Sequence, residues 1–99
     1  MILVTGHVMV AEGALTRLKP AMEAQLAATR AEEGCIEYTY AVDVQDSRKI
    51  LVHEKWRDWA ALDAHFKKPH MLPWRAALKG AGLSERELRA FEVGDGKEV

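Results

Sequence analysis

The feature that most restricts the fold is a short segment near the N-terminus, residues 2–10, which is apolar on both faces of a predicted strand. Its sequence, Ile-Leu-Val-Thr-Gly-His-Val-Met-Val, is rich in the β-branched residues that are typical of strands. Strand side chains alternate between faces, so the even-numbered residues point one way and the odd-numbered residues, among them His7, point the other. Since one layer of helices covers one face only, we expect a second subunit to cover the other.

A helix is predicted over residues 14–32, where side chains suited to a core recur at spacings of three and four. These side chains are Leu15, Leu18, Met22, Leu26 and Thr29. Pro20 lies inside the pattern, and a proline beyond the first turn of a helix costs about 3 kcal/mol and kinks it. We therefore expect the regular helix to begin after Leu15 or to bend at Pro20. Gly34 is predicted to cap its C-terminus in the left-handed conformation.

Two strands joined as a hairpin are predicted next. Residues 35–44 alternate in polarity, residues 45–48 form a polar turn, and residues 49–56 form the following strand. The side chains expected to share the apolar face of the first of these strands are Ile36, Tyr38, Tyr40 and Val42.

The C-terminal half is predicted to contain two helical pieces and a last strand. Asp58 is suited to cap a helix, Pro69 interrupts it, residues 70–79 resume it, and residues 88–93 form a strand before a polar tail at 94–99. The apolar sides expected for the two helical pieces are Trp59, Leu62 and Phe66, then Met71, Trp74 and Leu78. The order β-α-β-β-α-β predicts one α+β domain of the ferredoxin-like class over residues 1–99.

Composition excludes several functional classes. Lys and Arg number 14 against 15 Asp and Glu, for a net charge of −1, which argues against the basic surface of a nucleic-acid binder. No run of 18 apolar residues predicts a membrane span, and the first residues lack the basic and cleavage regions of a signal peptide. The single cysteine cannot form an internal disulfide, which fits a reducing cytoplasm.

Several short motifs, in order, resemble a known family. The segment Glu33-Gly34-Cys35-Ile36-Glu37-Tyr38 is similar to the E-P-G-C-x-x-Y element of the antibiotic biosynthesis monooxygenase (ABM) domain, with Glu33 in place of the proline. Glu54-Lys55-Trp56-Arg57-Asp58, followed by Ala60-Ala61-Leu62 and His65, resembles its E-x-W-x-D…A-L…H stretch, and Lys68-Pro69-His70 resembles its S-P-H element. The similarity runs from Val4 to Val93.

The resemblance implies a homodimeric α+β barrel in which two four-stranded sheets pack face to face, with a pocket in each subunit between sheet and helices. The family includes cofactor-free monooxygenases of quinols and aromatic polyketides, haem-degrading enzymes, and an isomerase of a phosphorylated sugar. Membership in a fold family therefore does not determine the reaction.

Six residues are predicted to form the site. His7 and His65 are the catalytic candidates, since imidazole, with an ordinary pKa of about 6.5, can accept the proton of a phenol; the resemblance places a polar pocket residue at the strand position of His7. Each histidine also has a structural interpretation as a hydrogen-bonded core group. The substrate-binding candidates are Trp56 and Trp74 as apolar walls, and His70 and Arg75 at the pocket mouth.

No cofactor and no metal are predicted. His65 and His70 are five residues apart with Pro69 between them, whereas two metal-binding histidines on a helix are usually four apart. A glycine-rich phosphate loop is also missing. In the haem-degrading branch the iron ligand falls about ten residues after the position of His65, and here that position is Arg75, which cannot be a neutral iron ligand.

The leading functional hypothesis is a cofactor-independent monooxygenase that oxidises a small phenol or quinol with dioxygen. A second hypothesis is an isomerase or other non-redox enzyme acting on a small anionic metabolite, which Lys67, Lys68, His70 and Arg75 would favour. A third is a non-catalytic ligand-binding dimer in which the histidines are structural. Oxygen-independent turnover separates the second hypothesis from the first.

Overall fold

The chain forms one four-stranded antiparallel sheet and three helices. In the computed structural model, which describes residues 1–99, the elements in chain order are β1 (Ile2–Met9), α1 (Ala14–Arg30), β2 (Cys35–Asp43), β3 (Asp46–Trp56), α2 (Trp59–Phe66), α3 (Met71–Gly80) and β4 (Glu85–Glu92). The strands are ordered β2-β3-β1-β4, and every neighbouring pair is antiparallel. The predicted ferredoxin-like class is confirmed, with the second helical region divided into α2 and α3.

Strand β1 lies at the centre of the sheet and shows the predicted alternation. Ile2, Val4 and Val8 are buried on the helical side, whereas Thr5 on the opposite face is exposed. The antiparallel register sets Thr5 beside His53 of β3 and Arg89 of β4. We call this second face, which carries the odd-numbered side chains of β1 and their cross-strand neighbours, the open face.

The core on the helical side has two parts. One packs β1 and β3 against α1 and α3, and consists of Val8, Val10, Ala14, Leu18, Met22, Ile50, Met71, Trp74, Leu78 and Ala81. The other lies under α2 and consists of Ile2, Val4, Tyr38, Trp56, Ala61 and Leu62. The phase predicted for Met71, Trp74 and Leu78 is confirmed, because all three are buried.

Helix α1 begins at Ala14 and passes through Pro20 to Arg30, so the expectation of a later start is wrong. With 17 residues it is the longest helix, and none of the helices combines the length and apolar character needed to span a membrane. Gly34 has the predicted left-handed conformation, with φ of 84°, but it is not the helix cap. That position is Ala31, and the carbonyl of Gly34 instead accepts the backbone N–H of Arg57 at 2.8 Å.

The hairpin differs from prediction at both ends. The turn is the two-residue pair Val44 and Gln45, and β3 begins at Asp46, so the predicted turn was too long. A β-bulge between Cys35 and Glu37 adds one residue to β2. Ile36 is consequently 53% exposed and does not share the buried face of Tyr38, contrary to the simple alternation.

Helix α2 buries only part of the side that was predicted. Asp58 caps it as expected, accepting the N–H of Ala61 at 2.9 Å. However, Trp59 and Phe66 are each 45% exposed, while His65 is 1% exposed. Leu62 is buried as predicted, and the helix packs Ala61, Leu62 and His65, rather than its aromatic residues, against the sheet. Strand β4 also begins at Glu85, earlier than predicted, which brings Arg86 into the sheet.

Candidate functional site

A cavity of about 410 Å³ lies between the helical side of the sheet and helices α2 and α3. Its 14 lining residues, 10 of them hydrophobic, give it the size and apolar character of a small-molecule site. The lining consists of Val8, Tyr38, Tyr40, Val52, Glu54, His65, Phe66, Met71, Trp74, Arg75, Leu78, Leu83, Arg86 and Leu88. We call this cavity the main pocket.

Two tyrosines of β2 form a polar edge on the main pocket. Tyr38 and Tyr40 are two residues apart on one strand, so they share a face, and their hydroxyl oxygens are 2.6 Å apart. The ring of Tyr40 stacks on Trp74 with centroids 5.4 Å apart. Burial raises the pKa of Tyr38 to about 12 and also raises the pKa of Tyr40. Both hydroxyls therefore remain neutral groups that donate or accept hydrogen bonds.

His65 places a basic nitrogen at the pocket wall. Its Nδ1 is 2.9 Å from Oε2 of Glu32, and its ring lies 4.7 Å from the ring of Trp56. Burial lowers the pKa of His65, although Glu32 opposes the shift, so the ring is neutral at neutral pH. A neutral imidazole that donates from Nδ1 keeps its lone pair on Nε2. The ring lines the main pocket, and Nδ1 rather than Nε2 is the atom that pairs with a carboxylate of the protein.

Glu54 is a carboxyl group in the apolar wall of the pocket. It is 6% exposed and accepts the Nε1–H of Trp56 at 2.9 Å. Burial raises the pKa of Glu54, while its hydrogen bond from Trp56 and the charge of Arg86 oppose the shift. Ionised Glu54 is therefore a destabilising group, because burying a charge is unfavourable without a close counter-ion.

Replacing this carboxyl gives a stability prediction that depends on pH. Because the folded-state pKa is raised, the contribution of Glu54 is most favourable at low pH and is lost as pH rises through that pKa. Glu54→Gln keeps an acceptor for Trp56 without a charge. We expect the variant to gain on the order of 1 kcal/mol in unfolding free energy at pH 7, a usual size for one buried change. Urea titrations between pH 4 and pH 7 measure it.

The matched control is Glu37→Gln on the open face. Glu37 is exposed, and its hydrogen bond with His53 lowers the pKa of its carboxyl, so its charge favours the folded state. This variant is expected to gain nothing at pH 7. The raised pKa of Glu54 would be contradicted if both variants gained the same unfolding free energy. It would also be contradicted if the gain of Glu54→Gln did not increase with pH.

Two arginines give the apolar pocket a positive edge. Arg75 of α3 donates to the carbonyl oxygen of Phe66 at 3.2 Å, and Arg86 enters from β4. Each guanidinium group carries a positive charge and offers several N–H donors. A ligand with an anionic or ionisable oxygen is therefore suited to this side of the pocket.

Of the predicted site residues, His65, Trp74 and Arg75 line the main pocket. Trp56 is fully buried and lies beside His65 rather than in the lining. His70 lines an adjoining cavity of about 100 Å³ together with Gln25 and Trp74. It contacts the site from behind, with Nε2 located 2.7 Å from Oε2 of Glu32.

His7 is separated from the other predicted residues. Its side chain belongs to the open face, and Nε2 is 2.8 Å from Oε2 of Glu85. The main pocket is lined from the opposite face of the sheet, so His7 and His65 do not converge on one cavity within the subunit. The alternation of β1 already assigned His7 and Val8 to different faces.

The predicted site residues did not include Glu32, Tyr38, Tyr40, Glu54 or Arg86. The two tyrosines had a signal, since they occupy alternate positions of an amphipathic strand. Glu33 aligns with the proline of the E-P-G-C element, so Glu32, one residue earlier, aligns with the glutamate of that element. Nothing in the sequence indicated Arg86, because the last strand was predicted to begin at residue 88, after Arg86.

Comparison with known proteins identifies the family of the chain. The family model for antibiotic biosynthesis monooxygenase matches residues 1–77, and the chain therefore belongs to this family. A mycobacterial relative, "Putative monooxygenase Rv0793" of Mycobacterium tuberculosis, is 34% identical over 65 residues, which are 66% of this chain and 63% of the relative. An uncharacterised Synechocystis protein, sll1783, is 43% identical over 42 residues, which are 42% of this chain and 29% of that protein. The matches thus span less than two thirds of either relative.

Solved structures share the whole fold. The structure of Rv0793 superimposes with a TM-score of 0.83 at 26% identity and covers 98% of both chains. PA3566 from Pseudomonas aeruginosa has a TM-score of 0.80 at 29% identity, with 91% of this chain and 90% of that one covered. A Deinococcus radiodurans protein of the same family reaches a TM-score of 0.91 at 23% identity, covering 100% and 98%, which shows the fold alone.

Proposed function

We propose that this protein is a cofactor-independent monooxygenase that oxidises a small phenolic or quinol compound with dioxygen. The observation that carries the proposal is His65, whose Nδ1 is held by Glu32 at 2.9 Å while its ring lines the main pocket. This arrangement supplies a base beside an apolar cavity. The cavity size, about 410 Å³, suits a substrate of one to three fused rings.

In the proposed reaction His65 accepts the phenolic proton through Nε2. The electron-rich phenolate then transfers an electron to dioxygen, and the two radicals combine at a ring or benzylic carbon to form a hydroperoxide. Loss of water leaves a new carbonyl group. One oxygen atom enters the product and the other leaves as water, and the substrate supplies all four electrons, so no external reductant is required.

The surroundings of His65 support this chemistry. The flat wall of Tyr40 stacked on Trp74 is suited to hold an aromatic substrate ring in a fixed orientation. Such positioning raises the effective molarity of the reacting groups. The charges of Arg75 and Arg86 favour the phenolate and the reduced oxygen species. The apolar lining limits the water that would quench reactive intermediates.

A second candidate is a non-redox enzyme acting on a small anionic metabolite. The same two arginines favour it, since they would bind a carboxylate or phosphate. In that case His65 would move a proton between carbon atoms of the substrate and oxygen would not be consumed.

The test is oxygen uptake by purified protein with a panel of quinols and anthrones, in buffer with a chelator. We expect substrate-dependent uptake in a 1:1 ratio with product, and one labelled atom per product molecule when ¹⁸O₂ is used. Heat-denatured protein measures autoxidation of each substrate. No uptake above that background across the panel would count against the proposal, and turnover without oxygen would favour the non-redox enzyme.

We also propose that the working form is a homodimer joined through the open face. This face carries apolar side chains that a lone subunit leaves accessible, including Leu51, 38% exposed, and Phe91, 45% exposed. The helices of the subunit pack on the other face of the sheet, so a second copy of the chain is the expected cover for these side chains. Sedimentation equilibrium is expected to give twice the chain mass of 11.1 kDa, and a concentration-independent monomer would refute the dimer.

A further inference from the structure

Behind His65, on its Nδ1 side, three side chains from separate elements converge. Glu32 comes from the turn after α1, His65 from α2, and His70 from the position just before α3. Oε2 of Glu32 is 2.9 Å from Nδ1 of His65 and 2.7 Å from Nε2 of His70. One potential ligand atom from each residue lies within 4.8 Å of the others. We call these residues the Glu32 cluster.

The carboxylate of Glu32 has more hydrogen-bond acceptor capacity than the two neighbouring imidazole rings satisfy. Oε2 of Glu32 faces both imidazole rings, while Oε1 is buried and has no hydrogen-bond partner. The Glu32 side chain is only 6% exposed, so solvent compensates it poorly. An unpaired buried carboxylate oxygen is costly, and each such atom in a native structure requires a physical explanation.

His70 also faces more hydrogen-bond acceptors than a neutral ring can satisfy. Its Nδ1 is 2.9 Å from Oε1 of Gln25, and the Gln25 amide nitrogen points to Sδ of Met71 at 3.1 Å. This orients the Gln25 oxygen toward His70. Both ring nitrogens of His70 therefore face acceptors, although a neutral imidazole has one proton only. A cation between His70 and Glu32 would satisfy the second nitrogen.

We propose that Glu32, His65 and His70 form a binding site for one divalent transition-metal ion of the zinc type. Two imidazole nitrogens and a carboxylate are a ligand set that such ions favour, whereas Mg²⁺ and Ca²⁺ favour oxygen alone. Bonds of about 2.0–2.2 Å require the ligand atoms to stand a few tenths of an ångström further apart than their hydrogen bonds do. Metal binding therefore requires small rotations of the three side chains.

The neighbouring groups fit a ligand role for both histidines. Oε1 of Gln25 would accept the Nδ1–H of His70, the kind of outer hydrogen bond that fixes the tautomer of a metal-bound imidazole. His65 would bind through Nδ1 and carry its hydrogen on Nε2. Free Oε1 of Glu32 offers a second carboxylate contact to the ion.

An ion at this site would act on the pocket through His65. With Nδ1 bound to the metal, Nε2 becomes a donor and can no longer accept a substrate proton. Metal binding is therefore expected to inhibit turnover. This consequence rests on the proposed function, but the metal site itself does not.

The site is tested by calorimetric titration of tag-free, chelator-treated and dialysed protein with Zn²⁺. We expect one ion per chain. Loss of a partner that only orients a ligand weakens metal binding about 10–100-fold, so Glu32→Gln and His70→Gln, which remove ligands, are expected to weaken it at least tenfold. Co²⁺ in place of Zn²⁺ is expected to give visible absorption bands in the wild type that are lost in both variants. Circular dichroism verifies that the variants are folded.

The matched control is His53→Gln, which removes an exposed histidine paired with Glu37 and is expected to bind Zn²⁺ as the wild type does. No binding by the wild type would overturn the proposal. So would binding that survives both ligand variants but is lost in His7→Gln, since that result would place the ion at His7, Glu85 and Glu87 on the open face. Because no substrate enters the titration, its failure and the failure of the proposed enzyme activity are distinguishable.

Discussion

The Gly6→Ala variant is expected to lose about 3 kcal/mol or more of its unfolding free energy. Gly6 lies in the central strand with φ of 145°, a conformation that other residues adopt only with strain of about 1–3 kcal/mol. A Cβ at this position would also overlap the backbone carbonyl oxygen of Glu87 in β4. The two strands would have to separate, with loss of packing and of ladder hydrogen bonds. Urea unfolding followed by circular dichroism measures the change.

Two other glycines separate the causes of this loss. Gly13 has φ of 76° with open space around it, so Gly13→Ala is expected to cost only the left-handed strain of about 1–2 kcal/mol. Gly80 lies at the end of α3, also in open space and without a positive φ, and its replacement by alanine is expected to be neutral or slightly stabilising. A Gly6→Ala cost no larger than that of Gly13→Ala would show that β4 does not approach β1 as closely as described.

The His65→Gln variant is expected to lose about 10²–10⁴-fold in kcat on any quinol that the wild type oxidises. This is the usual contribution of a positioned general base. Glutamine can still donate a hydrogen bond to Glu32, and it fills a similar volume, but it has no basic nitrogen for the substrate proton. Because the pocket walls persist, KM is expected to change little. Steady-state oxygen uptake on the quinol panel gives both constants.

The control for this variant is again His53→Gln, the same substitution at a histidine that is hydrogen-bonded to a carboxylate on the open face. It is expected to retain the wild-type kcat. Thermal unfolding of both variants, with sedimentation of His53→Gln, separates loss of chemistry from loss of the fold or of the dimer. A folded His65→Gln protein with kcat close to the wild-type value would remove His65 as the base.

Local pattern was sufficient to predict the elements of this fold. The alternation of β1, the three-and-four spacing of α1 and the cap at Asp58 are properties of short segments, and each is confirmed by the burial or hydrogen bonds of the residues concerned. Two of the errors fell where one residue changes the alternation of side chains between the faces of a strand. The bulge at Ile36 turns its side chain outward, and the two-residue turn at Val44 lengthens β3, because hairpin pairing rather than polarity sets these positions.

The site depended on contacts between segments far apart in the chain. His65 was identified from the sequence, but Glu32, which orients it, lies 33 residues away, and no spacing rule links the two. His70 and Gln25 are 45 residues apart and meet only because α3 packs on α1. His7 was predicted for the site because imidazole can act as a base. Its odd-numbered position in β1 places it on the face of the sheet away from the main pocket, and the sequence did not show which face carries the pocket.

The N-terminal strand with two apolar faces thus predicted by itself a sheet whose second face needs a cover beyond one layer of helices, and a second subunit is the expected cover. That prediction follows from the alternation of strand side chains between two faces, which can be seen in a few consecutive residues. Only the tertiary structure decided which side holds the pocket, and which carboxylate stands behind its histidine. Those relations depend on the packing of whole elements against one another, and the order of residues along the chain does not encode them in any short pattern.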